Sequence, residues 1–278
     1  MESRERKTSD GKLHNFTEDV DASSSTSSLS ENEEDNVRFS LPSNVMFLLG
    51  SSCYVALAIS DLRWNLKWGD DDYYYNEYYY SDEFTKHRFS VYNFLSRIGS
   101  ILLVSNAGFD LYGCSRIAKK FGISIFDAEL QGDSLAAILF GCAAMIDLRG
   151  ALPGASDAAG GMNGIVYLFS SHLYLFSAFS TLSTMKFECS SLPLTLGIVG
   201  DILFLVGSLI DVFISYISDP DIIHENEIVL LRFSLLSSVL WLTDAFLYLS
   251  SNLILLKRRK ANVNEEFEGQ MITDVLIV

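Results

Sequence analysis

Apolar residues in this 278-residue chain fall in blocks of roughly 20, and the charged residues gather between the blocks. A helix of about 20 residues crosses a hydrocarbon core of about 30 Å, whereas the interior of a water-soluble domain interleaves apolar and charged positions more finely. The blocks lie at about 42–62, 92–113, 133–149, 163–183, 193–217 and 228–255, the third being the shortest. They predict an all-α fold, a polytopic transmembrane bundle of six helices within residues 41–256. Pro42 and Pro193 stand at the starts of the first and fifth blocks, where a missing N–H costs a helix little.

Overall composition would fit either a soluble or a membrane protein: 49% of the residues are hydrophobic. The net charge of −15 argues against a nucleic-acid partner, because phosphate binding needs clustered Lys and Arg. Much of the acidity sits in residues 1–40 and in the loop after the first block. Residues 1–40 also hold the run SSSTSSLS at 23–30 and have too little apolar surface to offset their ordering entropy, which predicts a disordered tail. No charged segment followed by a short apolar core and a small-residue cleavage site is seen there.

Basic residues near helix ends set orientation. One side carries Arg38, Arg116, Lys119, Lys120, Lys186 and the run Lys257 to Lys260; the other carries Arg63, Lys67, Lys86, Arg88 and Arg149. Both termini are therefore expected to be cytoplasmic, with residues 257–278 as a C-terminal tail and the sequon Asn15-Phe16-Thr17 unused. Cys53, Cys114, Cys142 and Cys189 form neither a disulfide framework nor a CxxC pair.

The chain also resembles itself. Aligning the odd helices on Asp61, Asp147 and Asp211 brings together Tyr54, Phe140 and Phe204, seven residues earlier. In the even helices, Gly99-Ser100, Ser170-Ser171 and Ser237-Ser238 precede Asn106-Ala107, Ser177-Ala178 and Asp244-Ala245. Two separate alignments thus divide the bundle into three repeated helical hairpins, each rich in the small residues that let backbones approach closely in lipid. This pattern, clearest in GIVGDILFLVGSLIDVFISY at 197–216 and LLSSVLWLTDAFLYLSS at 235–251, resembles the YrhK-like membrane domain. That family has no assigned chemistry, so the resemblance implies a helical-hairpin fold and nothing about mechanism.

Ionisable groups inside a membrane span are costly and often functional. Asp201 and Asp244 lie well inside the fifth and sixth spans, His172 lies near the middle of the fourth, Asp211 is deep in the fifth, and Asn106 holds the repeat position of Asp244. Converging on the axis, they would form a proton or cation relay; dispersed, they would serve as polar glue between helices. Asp61, Asp147 and Asp110 lie nearer helix ends, where anchoring at the headgroups accounts for them.

The segment WGDDDYYYNEYYYSDE at 68–83 holds six tyrosines and six acidic residues and offers a surface for a basic partner or weakly held Ca²⁺. The terminal Val-Leu-Ile-Val offers a strand to a PDZ-type groove. No HExxH, GxSxG or P-loop is present and the four histidines are scattered, so no enzyme, cofactor or metal site is expected. Two functions remain. One is a non-enzymatic scaffold or sensor that meets membrane lipid and, through its tails and loop 68–83, protein partners. The other is a small transporter or channel with an intramembrane Asp/His relay.

Overall fold

The computed structural model describes residues 41–68, 83–128, 130–152, 162–184, 192–217 and 220–276. The tail 1–40 with its sequon, residues 69–82 of the tyrosine-rich loop, Cys189 and the last two residues lie outside them. The described residues form six helices: α1 Leu41–Trp68, α2 Glu83–Phe121, α3 Gln131–Gly150, α4 Met162–Thr184, α5 Leu192–Tyr216 and α6 Pro220–Leu276. Each helix packs against the next, and α6 returns to α1, so the six close into a ring. Pro42 and Pro193 occupy the second positions of α1 and α5.

Four helices contain stretches long and apolar enough to cross a membrane: Leu41–Leu66, Gln131–Gly150, Leu192–Tyr216 and Asn226–Arg258. Helices α2 and α4, over the expected spans 92–113 and 163–183, are diluted by Ser, Tyr, Asn106, Asp110 and His172. At 1.5 Å per residue, the 57 residues of α6 reach about 85 Å. That is far more than a bilayer needs, and the stretch expected as a C-terminal tail continues this helix through Leu276.

Polarity in the ring is inverted relative to a soluble bundle. Asp201 and Asp244 are each 1% exposed, while Phe176 is 70%, Phe169 61% and Phe213 58% exposed. A soluble fold buries such rings and leaves Asp in water. Here only 28–39% of the residues in the most apolar window of each of the four stretches are buried, and exposed large apolar side chains recur along them.

Helix α5 shows how the sequence writes this face. Gly197, Gly200, Asp201, Phe204, Gly207 and Ser208 are buried at helical spacing, and Val199, Ile202 and Val206 between them are exposed. The small residues bring α5 and α6 close: Ser237 Oγ donates to the Gly207 carbonyl at 3.0 Å, and Ser251 Oγ to the Pro193 carbonyl at 3.0 Å.

Halfway along the axis the odd helices meet ring to ring. Phe47, Phe140 and Phe204 form a triangle with centroid distances of 5.8, 5.7 and 6.2 Å, all edge to face. Tyr167 and Trp241, 4.7 Å apart, pack on it, and Leu103 completes the same core. The self-alignment pairs Phe140 and Phe204 with Tyr54, which packs against this core; the α1 ring in the triangle is Phe47, one heptad earlier. Consecutive helices also meet at polar or small residues: Ser43 with Asn106, Ala136 with Ser170, and Gly200 with Asp244.

Between α2 and α3, Gly122 adopts φ 68°, the left-handed region that glycine enters without a Cβ penalty. Ile123 N–H then donates to the Ala118 carbonyl at 2.9 Å, the long bond of a Schellman ending. Asp127 accepts from Ser124 N–H at 2.8 Å, and Leu130 packs on Cys114 and Ala118 beneath the turn.

Candidate functional site

The aromatic layer divides the interior into two polar chambers. The first, of about 50 Å³, is lined by side chains from all six helices. It is bounded by the Phe47, Phe140 and Phe204 rings and lies toward the start of α1 and the middle of α6. Asp110, Asp133, Asp201 and Asp244 face it, and no Lys, Arg or His is among its lining residues. The second, of about 330 Å³, lies on the other side of the layer, against Tyr167 and Trp241.

Two of the carboxyl groups in the first chamber, those of Asp201 and Asp110, accept from hydroxyl and amide donors. Tyr248 Oη donates to Asp201 Oδ1 at 2.5 Å. Ser43 Oγ donates to Asp110 Oδ1 at 2.5 Å while accepting from Asn106 Nδ2 at 2.9 Å. Tyr174 Oη reaches Asp110 Oδ2 at 3.2 Å, and Asn106 Nδ2 reaches the same oxygen at 3.3 Å. Gly200 admits Asp244: a Cβ there would stand 2.4 Å from Asp244 Oδ1. Bonds of this kind satisfy buried polar groups that lipid would otherwise leave costly.

The second chamber centres on Asp147. Tyr167 Oη donates to its Oδ2 at 2.8 Å, Tyr54 Oη lies 3.4 Å from the same oxygen, and Asn163 Nδ2 donates to Oδ1. Tyr54 Oη also lies 2.9 Å from Ser100 Oγ. Asp211 on α5 faces the same space.

Three of the residues singled out from the sequence, Asn106, Asp201 and Asp244, line the first chamber together, and Asp211 lines the second. His172 joins neither. It lies exposed on the outer face of α4, its Nδ1 2.8 Å from the Leu168 carbonyl one turn back in the same helix. Among the described residues, His172 therefore stands apart from the carboxyl groups of both chambers.

Headgroup anchoring does not describe Asp147 or Asp110, which turn inward onto tyrosines and amides while Arg149 is exposed. A signal for them existed in the spacing. Asp110 follows Asn106 by four residues and Tyr248 follows Asp244 by four, and such pairs share a helix face. Asp133 has no such marker, and only the way α3 enters the ring brings it inward.

The fold and chambers define a class: a membrane-embedded helical bundle with a polar, carboxylate-bearing axis closed midway by aromatic rings. Comparison with protein families, with curated proteins and with solved structures finds no match.

Proposed function

We propose that this chain is a six-span integral membrane protein, both termini cytoplasmic, that carries a small cationic solute along its axis as a transporter or channel. The observation that carries the reading is the first chamber, where four helices each direct an aspartate into one shared space. Clefts walled by low-dielectric material and lined with one sign of charge concentrate the opposite charge. Carboxyl groups retained inside a membrane bundle are expensive, and a permeation path accounts for that expense.

The reading of three repeated hairpins draws on matched packing. Phe47, Phe140 and Phe204 correspond in the odd helices, and Leu103, Tyr167 and Trp241 in the even ones. In that register Asn106, Ser170 and Asp244 are equivalent, each meeting the other helix of its own hairpin. The likeness of residues 197–251 to YrhK-like hairpins agrees with this construction and adds no chemistry.

A scaffold or sensor would draw on the tails and on loop 68–83, whereas the transport reading draws on the aspartates of the first chamber. The test is flux through liposomes holding the purified full-length protein, under proton, sodium and tetramethylammonium gradients in turn. Movement of at least one cation above empty liposomes, abolished by Asp244→Asn and retained in His172→Gln, supports the reading. Absence of flux for all three, or equal flux in Asp244→Asn, overturns it.

A further inference from the structure

The second chamber differs from the first in ways that bear on what it holds. Its space is several times larger, about 330 against 50 Å³, which is within the range of small-molecule pockets and well beyond the needs of a bare ion. Two carboxyl groups, Asp147 and Asp211, and three aromatic residues, Tyr54, Tyr167 and Trp241, line it, with no Lys, Arg or His among the described lining residues.

Trp241 is 6% exposed, and its indole N–H has no hydrogen-bond partner among the described residues. A buried donor left so is costly, and a ligand that carries an acceptor oxygen beside its positive charge would satisfy it.

Asp147 is preset. Donors from α1 and α4 fix its orientation while leaving acceptor capacity, since an ionised carboxylate offers about four lone-pair sites. A dehydrated metal ion, in contrast, requires several oxygen ligands converging on one point. Among the described residues no group of three His, Cys, Asp or Glu is placed to hold one. An ammonium ion carrying alkyl groups needs no such cage. Its diffuse charge is met by aromatic faces, as in sites for quaternary ammonium ligands, and by a carboxylate nearby.

We infer that the second chamber is a binding site for a small organic ammonium ion, held between Asp147 and Asp211 and against the rings of Tyr54, Tyr167 and Trp241. The inference builds on the transport reading by naming the class of solute, and binding is measured separately from flux.

The protein contains three tryptophans. Replacing Trp64 and Trp68 with Phe leaves Trp241 as the reporter in the otherwise full-length chain. In detergent, tetramethylammonium chloride is titrated against sodium chloride at equal ionic strength while Trp241 emission is followed. The site predicts a saturable change with tetramethylammonium and none with sodium. Apparent affinity falls at least tenfold in Asp147→Asn/Asp211→Asn and is unchanged in His172→Gln.

The wild-type contrast between the two salts keeps the test decisive should the double variant fail to fold. A response identical for both salts, or no saturable response, overturns the site. If tetramethylammonium fails to bind while Asp244-dependent flux of proton or sodium persists, the site falls and the transport reading stands. Binding without flux of any cation supports the site and removes the transport reading.

Discussion

Substituting Gly207 with Ala adds one methyl group at the point where α5 lies against Trp241. The new Cβ would stand 2.5 Å from Trp241 Cδ1, 2.7 Å from Nε1 and 3.3 Å from the Ser237 carbonyl oxygen. Carbon atoms settle at about 3.5–4.0 Å, so the indole must retreat by about 1 Å. Its retreat is opposed by the Tyr167 ring at 4.7 Å and the Phe140 ring at 6.5 Å. Overpacking of this kind costs about 1–3 kcal/mol. The gain of Ala over Gly within a helix, about 0.5–1 kcal/mol, offsets only part of it.

Gly108→Ala supplies the reference. Nothing lies within 4 Å of a Cβ at that position, so it keeps the helical gain and meets no obstacle. The two variants should therefore differ by about 1–3 kcal/mol, and each one or two kcal/mol is a factor of about 5–30 in the folded-to-unfolded ratio. Equilibrium unfolding in mixed micelles, titrated with SDS and followed by circular dichroism, measures this difference. Equal stability of the two, or a more stable Gly207→Ala, would refute the close packing of α5 on α6 through Trp241.

Two further substitutions address the chambers. Tyr248→Phe removes the donor to Asp201 at 2.5 Å, and interhelical hydrogen bonds in membranes average about 0.6 kcal/mol with a maximum near 1.7; the same unfolding titration should show a loss in that range, and no loss would contradict the contact. Phe140→Ala removes the ring that meets Phe47, Phe204 and Tyr167. It should raise passive cation leak through protein-containing liposomes, while Phe169→Ala, on the outer surface, should leave the leak at the wild-type level.

Block length and charge placement are enough to read the helices from the sequence, because only helices of about that length satisfy their own backbone in lipid. Asp201 and Asp244 stood out for the same reason, as charges inside apolar blocks. Register was less legible. Seven residues are close to two turns, so positions a heptad apart share a face to within about 20°. Phe47 and Tyr54 on α1, like Tyr167 and Tyr174 on α4, are equally good matches to a helix face, and only the ring contacts separate them. His172 misled because depth in a span says nothing about direction around the helix: its neighbour Ser171 is buried and it is not. Asp147 misled in the opposite way, since nearness to a helix end says nothing about the tyrosines that α1 and α4 bring to it.

The central claim is the inverted polarity of the ring, and spin labels placed singly at positions 176, 202 and 246 test it most directly. These carry Phe176, Ile202 and Phe246, all exposed on the outer surface. Labels are attached through introduced cysteines in a background without the four native ones, and power saturation compares oxygen with a water-soluble nickel complex. In reconstituted bilayers the account predicts high oxygen and low nickel accessibility at all three positions. High nickel accessibility at all three would mean that these apolar faces meet water, and a polar axis inside a lipid-immersed bundle would no longer describe the chain.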